Sequence, residues 1–127
     1  MATRLPEPMY ATIADGIPRG REWAYEQKYD GMRVVALASA RSVRLVTRNG
    51  HDKSAQFPEI VEALRALAAR VKRTLIVDGE IVALVRGKPV AFQALQNRLH
   101  RKNADEIREL AKSHPAALVI FDVLRDG

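Results

Sequence analysis

An α/β (α+β) domain, built on a mixed, largely antiparallel sheet flanked by helices, is the fold that these 127 residues predict. Three observations lead there. Apolar and polar residues alternate cleanly over residues 43–48, with Val43, Leu45 and Thr47 on one side and Arg44, Val46 and Arg48 on the other. Short turn signals, Asp30-Gly31, Asn49-Gly50 and Arg86-Gly87-Lys88-Pro89, separate the strand-like runs and favour hairpins. Between them Ile60, Leu64, Leu67 and Val71 recur at helical spacing.

The elements follow in order. Residues 1–20 carry Pro6, Pro8, Gly16, Pro18 and Gly20 and read as an extended leading segment laid over the domain. Residues 23–28 read as a strand with Trp23 and Tyr25 on one face. After the Asp-Gly bend, residues 32–38 form a second strand. It pairs through a turn at 39–42 with the strand at 43–48. Residues 51–57 are a polar loop, and Pro58 opens a helix over 58–72 whose basic end, Arg70, Lys72 and Arg73, complements the helix dipole. Residues 74–85 are the most apolar strand. Phe92, Leu95 and Leu99 mark a short helix, and Asn103 with Glu106 caps another that runs to about Ser113. Residues 116–122 form a final buried strand, and Arg125-Asp126-Gly127 begins a turn.

Composition bounds the function. Hydrophobic residues at 47% and charged residues at 28% describe a globular chain. With no cysteine there is no disulfide and no thiolate metal site, which suits a reducing cytoplasm. The apolar run at 116–121 is too short to span a bilayer, so no membrane role is expected. A net charge of +6 favours polyanionic partners such as nucleic acid or nucleotides.

The chemistry concentrates at Lys28-Tyr29-Asp30-Gly31-Met32-Arg33. A bend fixes where Lys28 points, and a lysine held in a pocket can lose its proton and act as a nucleophile. A solvated strand lysine beside a tight turn is the plain alternative for any single Lys-x-Asp-Gly. Adding the arginine changes the weight, since four fixed residues at ordinary usage would match by chance in a chain this long on the order of once in a thousand. Asp78-Gly79-Glu80 places two carboxylates in an apolar strand, where they need a pair, hydrogen bonds or a metal. Phe121 and Asp122 end another apolar run, and Arg33 and Arg48 could clamp phosphate. His51, His100 and His114 lack metal-ligand spacing.

Taken in order, these strings, with Thr47-Arg48-Asn49-Gly50 and Phe92-Gln93-Ala94-Leu95-Gln96-Asn97-Arg98-Leu99 between them, resemble the first part of the adenylation domain of ATP-dependent DNA ligases of the bacterial end-joining type. The resemblance implies an ATP-grasp-like domain in which Lys28 becomes adenylated and Glu26 lies at the adenine edge. Arg33 and Arg48 would contact ribose, phosphates or the DNA 5′-phosphate, while Glu80 is the acid of the third motif and Phe121 stacks on adenine. Asp30 would be structural or metal-orienting, sharing Mg²⁺ with Glu80. ATP and Mg²⁺ are the implied cofactors and nicked duplex DNA the implied partner. An RNA ligase, a capping-type nucleotidyltransferase or a non-catalytic nucleic-acid-binding piece are the alternatives. The family's later Glu-Gly-x-x-x-Lys and Lys-x-Lys strings do not occur in these residues. That predicts the N-terminal portion of a catalytic domain, lacking its C-terminal half and OB-fold. Such a piece would be inactive or weakly adenylating and would self-associate through an uncovered apolar edge.

Overall fold

The computed structural model describes residues 4–127, so the leading segment is followed from Arg4 and its first three residues lie outside the described residues. Five strands make one sheet: β1 (Met32–Ala38), β2 (Val43–Thr47), β3 (Leu75–Val85), β4 (Lys88–Val90) and β5 (Ala116–Asp126). The helices are α1 (Pro58–Val71), α2 (Gln96–Leu99) and α3 (Ala104–Ser113), with 3₁₀ turns at Ser54–Gln56 and Phe92–Leu95. β3 is the centre. It pairs with β1 on one edge and β5 on the other, and every ladder is antiparallel. Ala83 pairs with both Val90 and Ala116, so β4 continues the β1 edge beyond Met32. The turn before β4 puts Arg86 at φ 50° and Gly87 at φ 75°, the left-handed pair that a two-residue hairpin requires.

Alternation sorts the sheet into two faces. Val34, Ala36 and Ala38 of β1 share one face with Val77, Ile81 and Ala83 of β3 and Leu45 of β2, all buried. Helix α1 covers that face with Ile60, Leu64 and Ala68, spaced four residues apart. Each fully buried Leu or Ile there contributes about 1.5–3 kcal/mol. Pro58 starts the helix, and Lys72 ends it in the left-handed conformation at φ 56°, its N–H donating to the Ala68 carbonyl. Asn103 caps α3 as expected, its side-chain oxygen accepting from the N–H groups of Asp105 and Glu106. Glu106 does not reach back to complete the box; it pairs with Arg101.

Four expectations change. Residues 23–28 form no strand, because no neighbouring strand offers them a ladder among the described residues; Trp23 and Tyr25 are exposed and the Tyr25 hydroxyl donates to the Pro18 carbonyl. β5 runs on to Asp126 where a turn was expected, since Leu75 and Ile76 continue to pair with it. β5 is also less buried than its composition suggested, with Ile120, Phe121 and Val123 exposed, because it is a sheet edge. Within the stretch read as polar loop, Phe57 is fully buried.

Arg98 accounts for how the helices join. It is 1% exposed. Both Nε and Nη2 donate to the Gln56 carbonyl, Nη2 also to Glu59 at 2.7 Å, and Nη1 to the His114 carbonyl. Its guanidinium lies 4.7 Å from the centre of the Phe57 ring. Glu59 in turn accepts the Ala116 N–H. One buried cation thus ties α1, α2 and the start of β5 together, with its guanidinium donors satisfied.

Candidate nucleotide-binding site

The sheet face turned away from α1 carries the charged residues. Arg33 and Glu80 are direct cross-strand partners, and Asp78 lies one step diagonally along β3. A cleft of about 750 Å³ opens over them, walled by Met9 to Thr12 on one side and by the stretch at 26–29 on another. Glu26, Lys28, Arg33, Glu80 and Phe121, from four separate parts of the chain, all line it.

Two glycines set this geometry. A Cβ on Gly31 would lie 2.0 Å from the Ile81 carbonyl oxygen, so only glycine lets the chain press against β3 as it leaves the lysine stretch. A Cβ on Gly79 would lie 2.5 Å from the Val119 carbonyl oxygen, so β5 needs glycine at that point too. Lys28 itself is exposed in the cleft wall.

Arg33 is locked. Its Nε and Nη2 donate to the two oxygens of Asp78 at 2.7 and 2.5 Å, and Nη2 donates to the Met9 carbonyl at 2.7 Å. Its guanidinium carbon lies 4.9 Å from the centre of the Phe121 ring and 5.3 Å from that of Tyr10. The hydrogen bond to Asp78 raises the arginine's pKa further above its ordinary value, so it stays charged. The arginine pair that the strand carboxylates call for is therefore made by Asp78, which is 2% exposed, and Glu80 is left facing the cleft. Burial pushes the Glu80 carboxyl above the usual glutamate value, against the pull of Arg33 and the Gly31 N–H; Asp30 and Asp78 add to the rise.

Phe121 reaches the cleft through a bulge. Asp122 faces Asp78 and Ile120 faces Gly79, which leaves Phe121 as an extra residue between two rungs. Regular alternation would send Phe121 and Asp122 to opposite faces; here both line the cleft. Tyr10 was not singled out by sequence, and nothing in its immediate neighbours signals the role; Asp122 was noted beside Phe121 at the end of the apolar run but given no role of its own.

Two expected site residues lie elsewhere. Asp30 does not line the cleft; its carboxylate accepts the Phe92 N–H at 3.2 Å and ties the lysine stretch to the 3₁₀ turn. Arg48 lines a smaller adjoining cavity of about 350 Å³, its guanidinium 4.3 Å from the centre of the Tyr10 ring.

Residues 8–127 match the sequence model of the ATP dependent DNA ligase domain. The chain belongs to that family. It is 36% identical over 118 residues to the bifunctional non-homologous end joining protein LigD of Bacillus subtilis, covering 91% of this chain and 19% of that protein. It is 34% identical to DNA ligase C of Mycobacterium tuberculosis, covering 94% of this chain and 32% of that one. Among solved structures it resembles the ligase domain of M. tuberculosis LigD, with a TM-score of 0.54 and 31% identity over 80% of this chain and 29% of that domain. This ligase-family chain thus spans a third or less of the length of each of these relatives. Its sheet with flanking helices is the fold of their adenylation domains.

Proposed function

We propose that the chain supplies the nucleotide side of an ATP-dependent DNA ligase. The neutral Lys28 amine attacks the α-phosphorus of ATP, the bond to pyrophosphate breaks, and the lysine loses a proton to give lysyl-AMP. The AMP then passes to a 5′-phosphate at a nick, and the 3′-hydroxyl displaces it and seals the strand. One observation carries this reading: Lys28, Glu26, Glu80 and Phe121 line a single cleft, although the sequence separates them by up to 95 positions. Phe121 offers a face for adenine, Glu80 an acceptor for ribose hydroxyls, and Arg33 holds the aromatic in place.

Mg²⁺ fits this cleft as a guest of the nucleotide. Glu80 and Asp122 line it, while no group of three or more His, Cys, Asp or Glu side chains among the described residues forms a ready cage. That is the pattern of a cation held by one or two carboxylates plus phosphates, with Asp30 left a structural part. Such an ion would neutralise charge on the transferring phosphoryl group.

We place the activity in cytoplasmic DNA repair or recombination. The end-joining name of the B. subtilis relative supports this, and no helix among the described residues is long and apolar enough to cross a membrane. The later lysine strings that would surround the pyrophosphate do not occur in these residues, so the 127 residues alone should fold, bind ATP weakly and adenylate little. The apolar strip on β5, Ile120 and Val123, is where the rest of such a domain would pack, and where the chain alone would self-associate.

The test is incubation with radiolabelled ATP and Mg²⁺, with and without the remaining part of a LigD-type ligase domain, followed by a search for label bound covalently to the chain. Label that grows when the remainder is supplied and vanishes in Lys28→Arg supports the reading. No label under either condition, or undiminished label in Lys28→Arg, overturns it. Label from GTP instead of ATP would indicate a capping-type enzyme.

A further inference from the structure

Tyr10 stands between the two cavities of the charged face and lines both. The preceding Pro8 is buried, and the Met9 carbonyl accepts from Arg33, so the backbone that carries Tyr10 is held at two adjacent positions. The half-buried ring stacks against two guanidinium groups, Arg33 at 5.3 Å and Arg48 at 4.3 Å.

These two arginines differ in what else they do. Arg33 is neutralised by Asp78, bound to a carbonyl and also in contact with the Phe121 ring, so it has little left to offer an anion. Arg48 makes no hydrogen bond and no ion pair among the described residues, and the ring is the group that orients it. A guanidinium held over an aromatic ring keeps its N–H donors free, and a free guanidinium can grip a phosphate through two parallel hydrogen bonds. Arg48 lines the adjoining cavity together with Asn49 and Gly50, and that cavity shares Tyr10 and Arg33 with the nucleotide cleft.

We propose that Tyr10 is a positioning residue: its ring holds the Arg48 guanidinium in place so that the cation receives a terminal phosphate monoester of a nucleic-acid end beside the nucleotide cleft. The assignment rests on the ligase reading for the identity of that end. A long aliphatic side chain at position 10 would fill the space without orienting the cation. A phenylalanine would preserve the stacking.

The experiment measures binding of the 127-residue chain to a nicked duplex that ends in a 5′-phosphate or a 5′-hydroxyl, by fluorescence anisotropy at one fixed salt concentration. Wild type should prefer the phosphate. Tyr10→Leu should reduce that preference by about fivefold, the scale of one exposed-to-buried cation–π contact. Tyr10→Phe should keep it, and Tyr10→Trp should keep or raise it, which leaves a readable comparison if the leucine variant melts early. In an Arg48→Ala background, Tyr10→Leu should remove nothing further. The assignment is overturned by a wild type indifferent to the phosphate, by a folded Tyr10→Leu with full preference, by a Phe variant as damaged as Leu, by a folded Trp variant that loses the preference, or by additive losses in the double variant. Lys28 labelling is read separately, so failure to label with an intact phosphate preference sinks the ligase reading alone.

Discussion

The two faces of the sheet are made by the same strands and behave in opposite ways. On the α1 face, Val34, Ala36, Val77 and Ile81 meet Ile60 and Leu64, and the contact is apolar throughout. On the other face, Arg33, Asp78 and Glu80 occupy alternate positions of β1 and β3, under a cleft walled by residues 9–12 and 26–29. The first face stabilises through area and shape. The second holds charge in fixed geometry, and most of its hydrogen bonds serve to aim a side chain. Stability and function are thereby divided by strand parity, one residue apart.

Substitutions can break that division, and the largest effect should come from the sealed side. Phe57→Ala removes a fully buried ring that also floors Arg98. It should cost about 4 kcal/mol in a denaturant titration, and any loss of AMP labelling should track unfolding. Next comes Glu59→Ala, which leaves the buried Arg98 without its carboxylate. About 3 kcal/mol of destabilisation is expected, again without a separate effect on nucleotide binding in the fraction still folded.

On the cleft side the proportions should reverse. Asp78→Asn breaks the paired hydrogen bonds to Arg33 and lets both the arginine and Phe121 drift. A stability loss of about 1–3 kcal/mol is expected, with ATP affinity in folded protein falling clearly beyond it. Equal losses in both measurements would mean that the cleft face is merely structural.

The smallest effect should have the opposite sign. Burial raises the Glu80 carboxyl above its ordinary value of 4.5, so the folded state favours the protonated form. Its contribution to stability is present below the unfolded pKa and is lost as pH rises through the folded one. Glu80→Gln should therefore melt slightly higher than wild type at neutral pH and lose that advantage near pH 4, while ATP binding weakens. A variant less stable than wild type at neutral pH would show that Glu80 is a paired structural acid.

Much of the sealed face was legible in the sequence because it obeys periodicity. The alternation at 43–48, the apolar run of β3, the α1 stripe and the Asn103 cap each became the expected element. What failed depends on partners that a linear reading does not see. Trp23 and Tyr25 alternate like a strand, but a strand needs a neighbour, and none is paired with them among the described residues. Arg98 looks like any helix-end arginine until Glu59, Gln56 and His114 converge on it from distant positions. On the cleft face, the resemblance to ATP-dependent DNA ligases marked Lys28, Glu80 and Phe121 as a group, and all three line the cleft. It did not foretell that Asp78 claims Arg33, or that Tyr10 divides the space.

The bulge at Phe121 has a sibling. Val123 faces Val77 and Arg125 faces Ile76, so Leu124 is a second extra residue. The first insertion inverts the alternation of β5 and the second restores it, so that Ala116 and Asp126 fall in phase although eleven residues of β5 answer nine of β3. Length is therefore coded in this strand as firmly as side-chain identity. Losing both extra residues would leave the two ends of β5 in step, whereas losing one would turn everything beyond it inside out. Natural variation in this segment should come in even counts.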